Sequence, residues 1–141
     1  MNYRSTRNSS LKVTSAHAIT KGLSDEGGLY VPDSIPQLSK DEILAMCDMS
    51  YADRAFEVFS RLLTDFTADE IRHCVDSAYN DKNFDTDNIA ELAKLSPGTY
   101  VLELWHGPTC AFKDMALQIL PYLLTTSAKK TVDGKQIAIL V

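Results

Sequence analysis

The chain has 141 residues, of which 45% are hydrophobic and 23% are charged, a balance that permits a buried core and excludes disorder over most of the length. Its net charge of −5, without a basic stripe, argues against a nucleic-acid partner. Because no apolar run approaches the roughly 18 residues that cross a bilayer, and the N-terminus lacks a signal-peptide core, we expect a cytoplasmic protein with no membrane partner.

The first forty residues predict short strands and turns around one helix. Residues 11–14 and 29–31 have the β-prone composition of strands, and residues 25–28 form a turn sequence. Residues 15–21 predict a short helix that ends at Gly22, because glycine readily adopts the left-handed conformation that follows a helix.

Three helices with clear start signals follow. Ser39 with Glu42 and Thr67 with Glu70 have the spacing of capping boxes, and Ser50 begins the helix between them. The third helix carries an apolar stripe at helical spacing, which consists of Ile71, Cys74, Val75, Ala78 and Tyr79. We therefore interpret Cys74 as a core residue rather than as a metal ligand with its neighbour His73, and no metal site is predicted.

The pattern becomes that of an α/β sheet in the last third. Residues 80–88 predict a loop and residues 89–95 one more short helix, before the Pro-Gly pair at 97–98. Residues 99–105 predict a strand and residues 111–128 a helix, with a kink or break at Pro121.

The apolar run at 136–141 is typical of a parallel strand covered on both faces, so the last third predicts one strand-helix-strand unit. Such a strand needs a cover that the sequence does not supply. We therefore expect either an N-terminal piece of a longer protein or a partner subunit that provides the missing layer. Without that cover, the exposed strand would favour self-association.

The densest group of chemically active residues is HGPTCAFKD at 106–114, between a strand and a helix. Ligands of open parallel sheets bind at this edge. The helix dipole and the apolar neighbours Ala111, Phe112 and Met115 would favour a neutral Lys113 amine, which can attack a carbonyl. An ordinary surface lysine is the alternative, and a Cys110 nucleophile activated by His106 is a further one.

The same run resembles the lysine motif of the threonine synthases that carry an extra N-terminal domain, a family of fold-type II pyridoxal-phosphate enzymes. Two further segments agree in order: YRSTR at 3–7 is similar to the family's opening, and GLSDEGGLYVP at 22–32 is similar to its second motif. The resemblance implies a small N-terminal α/β domain at 1–96, followed by the first strand-helix-strand unit of the pyridoxal-phosphate (PLP) domain at 97–141.

The resemblance also implies residue roles. Lys113 would carry PLP as a Schiff base and move protons during the conversion of O-phospho-L-homoserine and water into L-threonine and phosphate. Asp114 and Thr109 would support the helix start and the lysine. His106 would either face the cofactor or order the loop. The phosphate cradle and the ring-nitrogen contact would lie beyond residue 141.

Two alternatives remain open at this point. Ser5, Thr6 and Arg7 would either bind the phosphate or carboxylate of the substrate or brace two parts of the fold. The chain itself would either belong to a catalytic threonine synthase, without turnover on its own, or be a non-catalytic interaction or regulatory module that keeps the motif.

Overall fold

A computed structural model describes residues 1–134 as a mixed α/β chain. The strands are Tyr3–Ser5 (β1), Lys12–Val13 (β2), Tyr30–Pro32 (β3), Glu91–Ser96 (β4) and Thr99–Glu103 (β5). The helices are Ser15–Lys21 (α1), Lys40–Ala45 (α2), Tyr51–Leu62 (α3), Ala68–Ala78 (α4), Asp114–Leu117 (α5) and Leu120–Thr131 (α6). The strand predicted at 136–141, and self-association through it, lie outside the described residues.

The N-terminal sheet is small and antiparallel, with the strand order β2-β1-β3. Arg4 on the central strand pairs with Lys12 on one side and with Val31 on the other. The predicted helix α1 is confirmed. The side chain of Thr14 accepts a hydrogen bond from the backbone of His17 at its start, and Gly22 adopts φ 74° at its end.

The three start signals of the central helices are confirmed. Ser39 Oγ accepts from the Glu42 backbone N–H at 3.2 Å, while the Glu42 carboxylate accepts from the Ser39 N–H at 2.7 Å. Thr67 and Glu70 repeat this reciprocal arrangement at the start of α4. Ser50 Oγ caps α3. The helix α2 ends at Ala45 and continues into a single 3₁₀ turn.

The helix predicted at residues 89–95 is wrong. The segment from Glu91 is strand β4, which pairs antiparallel with β5 so that Leu92 lies opposite Leu102. The Pro-Gly pair at 97–98 is therefore a hairpin turn, with Gly98 at φ 79°, rather than a helix end. Helix-prone residues adopt the strand here because cross-strand pairing outweighs their intrinsic preference.

The helix predicted at 111–128 is divided in two, as the proline indicated. Pro121 lies in the first turn of α6, where its missing N–H costs no helical hydrogen bond. The division leaves α5 as a single turn that begins three residues later than predicted. Within residues 1–134, no helix is both long and apolar enough to cross a membrane.

Among residues 1–134, a hydrophobic core joins α1, α3, α4, α5 and α6, and α2 contributes no residue to it. Cys74 is fully buried there on the predicted stripe of α4, which confirms its packing role. Helix α6 packs against α1 and α4, so that Ile119 and Leu123 enter the same core. The Tyr79 hydroxyl donates to the Met115 carbonyl at 2.8 Å and ties α4 to α5. The core thus crosses residue 96, and the division there into two domains stays a prediction.

Replacing Ile71 with alanine is expected to lower the free energy of unfolding by about 2–5 kcal/mol, because it leaves a cavity in this core. Ile43→Ala is the matched control, since Ile43 on α2 is 52% exposed and its loss should cost less than about 0.5 kcal/mol. Urea unfolding of both variants measures the difference. Equal losses would show that α4 does not form the core.

Candidate active site around Lys113

Lys113 lies immediately before α5, not in its first turn. It occupies the N-cap position, where its side chain makes no cap hydrogen bond. The loop before it closes through a hydrogen bond from the Cys110 N–H to the Gly107 carbonyl at 3.1 Å. Cys110 has φ 56°, a left-handed conformation that tightens this turn and delays the start of the helix.

A buried carboxylate holds the loop in place. Asp114 is 1% exposed and accepts two hydrogen bonds from Thr109, one from its N–H and one from its hydroxyl, each at 2.8 Å. Burial alone would raise the pKa of Asp114, but these bonds from Thr109 outweigh it and lower the pKa. The pair therefore fixes the backbone on both sides of the lysine with an ionised carboxylate.

Gly107 permits this arrangement by its small size. A Cβ at that position would lie 2.4 Å from the Asp114 Cβ and 2.6 Å from its Oδ2, well inside van der Waals contact. Because the Asp114 side chain is held by Thr109, it cannot move aside cheaply. The glycine of the motif is thus a packing requirement.

His106 lies between two carboxylates. Its Nδ1 is 2.6 Å from Asp85 Oδ1, and its Nε2 is 2.9 Å from Glu103 Oε2. The hydrogen bond to Glu103, followed by that to Asp85, raises the pKa of His106. Both ring nitrogens are thus engaged by carboxylates and neither by the Cys110 thiol, so the arrangement does not favour a cysteine nucleophile. The structure places His106 in a loop-ordering position, and a contact with a cofactor stays a prediction.

Lys113 itself is exposed and lines a groove of about 870 Å³. Ala111, Phe112 and Met115 are expected from the sequence to shield the Lys113 amine from water. Among residues 1–134 that expectation is wrong, because Lys113 is exposed and Phe112 beside it is 66% exposed. The groove runs between the β4–β5 hairpin, α5 and the start of α3. Its apolar lining includes Leu92, Leu102, Leu104, Phe112, Met115 and Leu117.

Sequence reasoning missed the contribution of α3 to this groove. Tyr51 and Arg54 line it together with Lys113. The Arg54 guanidinium is held by the Met49 carbonyl, to which its Nε and Nη2 donate at 3.1 and 2.8 Å. The helix dipole disfavours a cation near the start of a helix. The unfavourable position of Arg54 in the sequence is therefore the signal that could have identified it.

The cluster Ser5–Thr6–Arg7 braces β1 against the turn at residues 23–29. Ser5 is buried, with its Oγ 3.0 Å from Ser24 Oγ. Thr6 Oγ1 accepts from the Leu29 N–H at 3.0 Å, and Arg7 Nη1 donates to the Glu26 carbonyl at 2.9 Å. None of the three is among the residues that line the Lys113 groove. The contacts fit the bracing role, and a role in substrate binding stays a prediction.

The fold and the site define a class: a small mixed α/β domain at the N-terminus, joined to a loop that presents one lysine on a groove. The family model described as "Threonine synthase N terminus" matches residues 2–79, which is more than half of the chain. The chain therefore belongs to the threonine synthase N-terminal family. Lys113 lies beyond the matched residues.

Known relatives extend the similarity past the family segment. The chain is 41% identical over 127 residues to threonine synthase of Methylobacillus glycogenes, covering 85% of this chain and 27% of that protein. It is 43% identical over 122 residues to the Schizosaccharomyces pombe enzyme, covering 85% of this chain and 23% of the relative. The chain thus spans about a quarter of the length of these curated relatives.

A solved structure confirms the fold. The chain superposes on the PLP-bound threonine synthase from Brucella melitensis with a TM-score of 0.85 and 33% identity. The match covers 92% of this chain and 28% of that one. The small α/β N-terminal domain expected from the sequence is therefore confirmed.

Proposed function

We propose that the chain is the N-terminal part of a threonine synthase that converts O-phospho-L-homoserine and water into L-threonine and phosphate. One observation carries the proposal. An exposed lysine lines a groove in a chain whose fold matches a PLP-bound threonine synthase over 92% of its length. Because the chain spans about a quarter of its relatives, we assign turnover to a longer protein and expect none from the 141 residues alone. We place the protein in the cytoplasm.

The residues present fit PLP as the cofactor. Lys113 is the exposed amine on the groove, and about 870 Å³ leaves room for a group of that size beside it. Bound PLP supplies an electron sink for a carbanion next to the substrate amine.

The chain's own residues would divide the work as follows. Lys113 would hold the cofactor and, once released, move protons at Cα and Cβ of the substrate. Thr109 and Asp114 would set its position, because their two hydrogen bonds fix the backbone before α5. Ser5, Thr6 and Arg7 would contact substrate only if a rearrangement freed them from the bracing contacts, and we rank them below Lys113.

Reductive labelling tests the cofactor assignment. The complete protein is incubated with PLP, reduced with borohydride and digested, and the labelled peptide is expected to contain Lys113. The 141-residue chain, treated in parallel, should retain little label. Unbound PLP is removed before the reduction, and the exposed Lys129 on α6 is the internal control, because a surface lysine without a cofactor site should lose its reversibly bound PLP in that step. Label on a peptide without Lys113 would overturn the assignment.

A further inference from the structure

Three ionisable side chains meet beside residues 106–113, which we call the lysine loop; two of them are close in the sequence and the third lies 21 residues before His106. His106 opens that loop, Glu103 ends β5, and Asp85 belongs to the segment between α4 and β4. We call the three the His106 clamp. A backbone hydrogen bond from the Asp85 N–H to the His106 carbonyl, at 3.1 Å, runs alongside it. The clamp therefore connects the helical part of the fold to the segment that carries Lys113.

The clamp depends on the charge of the imidazole. An ionised carboxylate can only accept hydrogen bonds, and a neutral imidazole has one N–H donor and one bare nitrogen. Only the protonated ring, with two N–H groups, can donate to Asp85 and Glu103 together. Deprotonation must therefore break one of the two hydrogen bonds.

The surroundings decide which bond breaks. The Asp85 side chain is 74% exposed and can turn into water, whereas that of Glu103 is 21% exposed. Glu103 also lies opposite Glu91 across the hairpin, and two like charges in this position repel each other. An N–H group that donates to Glu103 offsets this repulsion, so the hydrogen bond to Glu103 is the one to be kept. The neutral ring is thus best placed with its proton on Nε2, toward Glu103.

We propose that His106 is a positioning residue whose proton holds the Asp85 segment against the lysine loop and whose deprotonation releases Asp85 while Glu103 stays bound. Its importance for catalysis rests on the proposed function, but the clamp itself does not. Glu103 and Asp85 are the charged groups that contact the ring, and Glu91 is the next one across the hairpin. Trp105 packs beside it with 5.6 Å between ring centroids.

The sign of the pH dependence follows from the raised pKa of His106. A group that binds its proton more tightly when folded contributes its full stabilisation below its unfolded pKa of about 6.5. That contribution is lost as the pH rises through the folded value. The clamp is therefore closed in mildly acidic solution and opens on the alkaline side.

Nuclear magnetic resonance of the full chain labelled with ¹⁵N-histidine tests this directly. Titration is expected to give a His106 midpoint above about 6.5 and, beyond it, the tautomer protonated at Nε2. As the pH rises through the same midpoint, the protection factor of the Asp85 amide, which is its intrinsic hydrogen-exchange rate divided by the observed rate, should fall by at least about threefold. His106→Gln assigns the resonances by removing one set.

Matched variants separate the clamp from a general charge effect. Asp85→Asn and Glu103→Gln should each move the His106 midpoint downward, whereas Asp87→Asn removes the same charge two residues away and should leave it in place. A midpoint that Asp85→Asn does not move, or a neutral ring protonated at Nδ1, would overturn the proposal. These readouts need neither cofactor nor turnover, so they stand or fall separately from the labelling of Lys113.

Discussion

Replacing Lys113 with alanine in the complete protein is expected to lower threonine formation by at least about 10³-fold. The reason is the unique role that the proposal gives to this amine, which both holds the cofactor and moves the protons. The measurement is phosphate and threonine release from O-phospho-L-homoserine, with saturating PLP. The circular dichroism spectrum should be unchanged, because Lys113 is exposed and its side chain makes no cap hydrogen bond.

The matched control for this variant is Lys129→Ala. Lys129 is also an exposed lysine, in the last turn of α6, where it makes no ion pair among the described residues. Its loss should leave the rate within about twofold of the parent. Full activity in Lys113→Ala would reject the proposed function rather than adjust it.

Gly107→Ala is expected to lower the free energy of unfolding by about 1–3 kcal/mol, because the added methyl group enters the space of the buried Asp114 side chain. Thermal or urea unfolding measures the loss. Hydrogen exchange should show that the amides of Thr109 and Asp114 lose protection first, since their bonds must rearrange to admit the methyl group.

Gly98→Ala provides the comparison for this variant. A Cβ at Gly98 meets no atom within 4 Å, although its φ of 79° disfavours alanine, so this variant isolates the cost of the backbone conformation. Loss of protection around Asp114 in Gly107→Ala, but not in Gly98→Ala, identifies the close approach as the cause. Unchanged stability of Gly107→Ala would show that the loop does not pack against Asp114 in this way.

Local signals in the sequence located the central helices well. The capping boxes at Ser39 and Thr67 and the cap at Ser50 act over three residues, so their chemistry is fully contained in a short stretch of sequence. The stripe of α4 was equally local, and Cys74 is buried where its spacing placed it. Pro121 likewise marked the division between α5 and α6.

Features that depend on distant partners could not be read in the same way. Residues 91–96 are strand only because β5 is there to pair with them, and their composition favoured a helix. His106 contacts Asp85, a residue 21 positions earlier, and no spacing rule links the two. The exposure of Lys113 and the presence of Arg54 on its groove depend in the same way on how α3 and the hairpin pack.

The shared core has a consequence for how this protein family can change over time. Because Ile119 and Leu123 belong to the same core as Cys74 and Val75, residues 1–96 cannot be exchanged between relatives as an independent unit. An exchange between relatives that stopped at residue 96 would pack α4 against the α6 of another protein, whose side chains are not matched to it, and would change the surroundings of the hydrogen bond from Tyr79 to the Met115 carbonyl. Functional recombinants should therefore inherit α1, α4 and α6 from the same parent. Lys113, which lies between α4 and α6 in the sequence, would then come from that parent too.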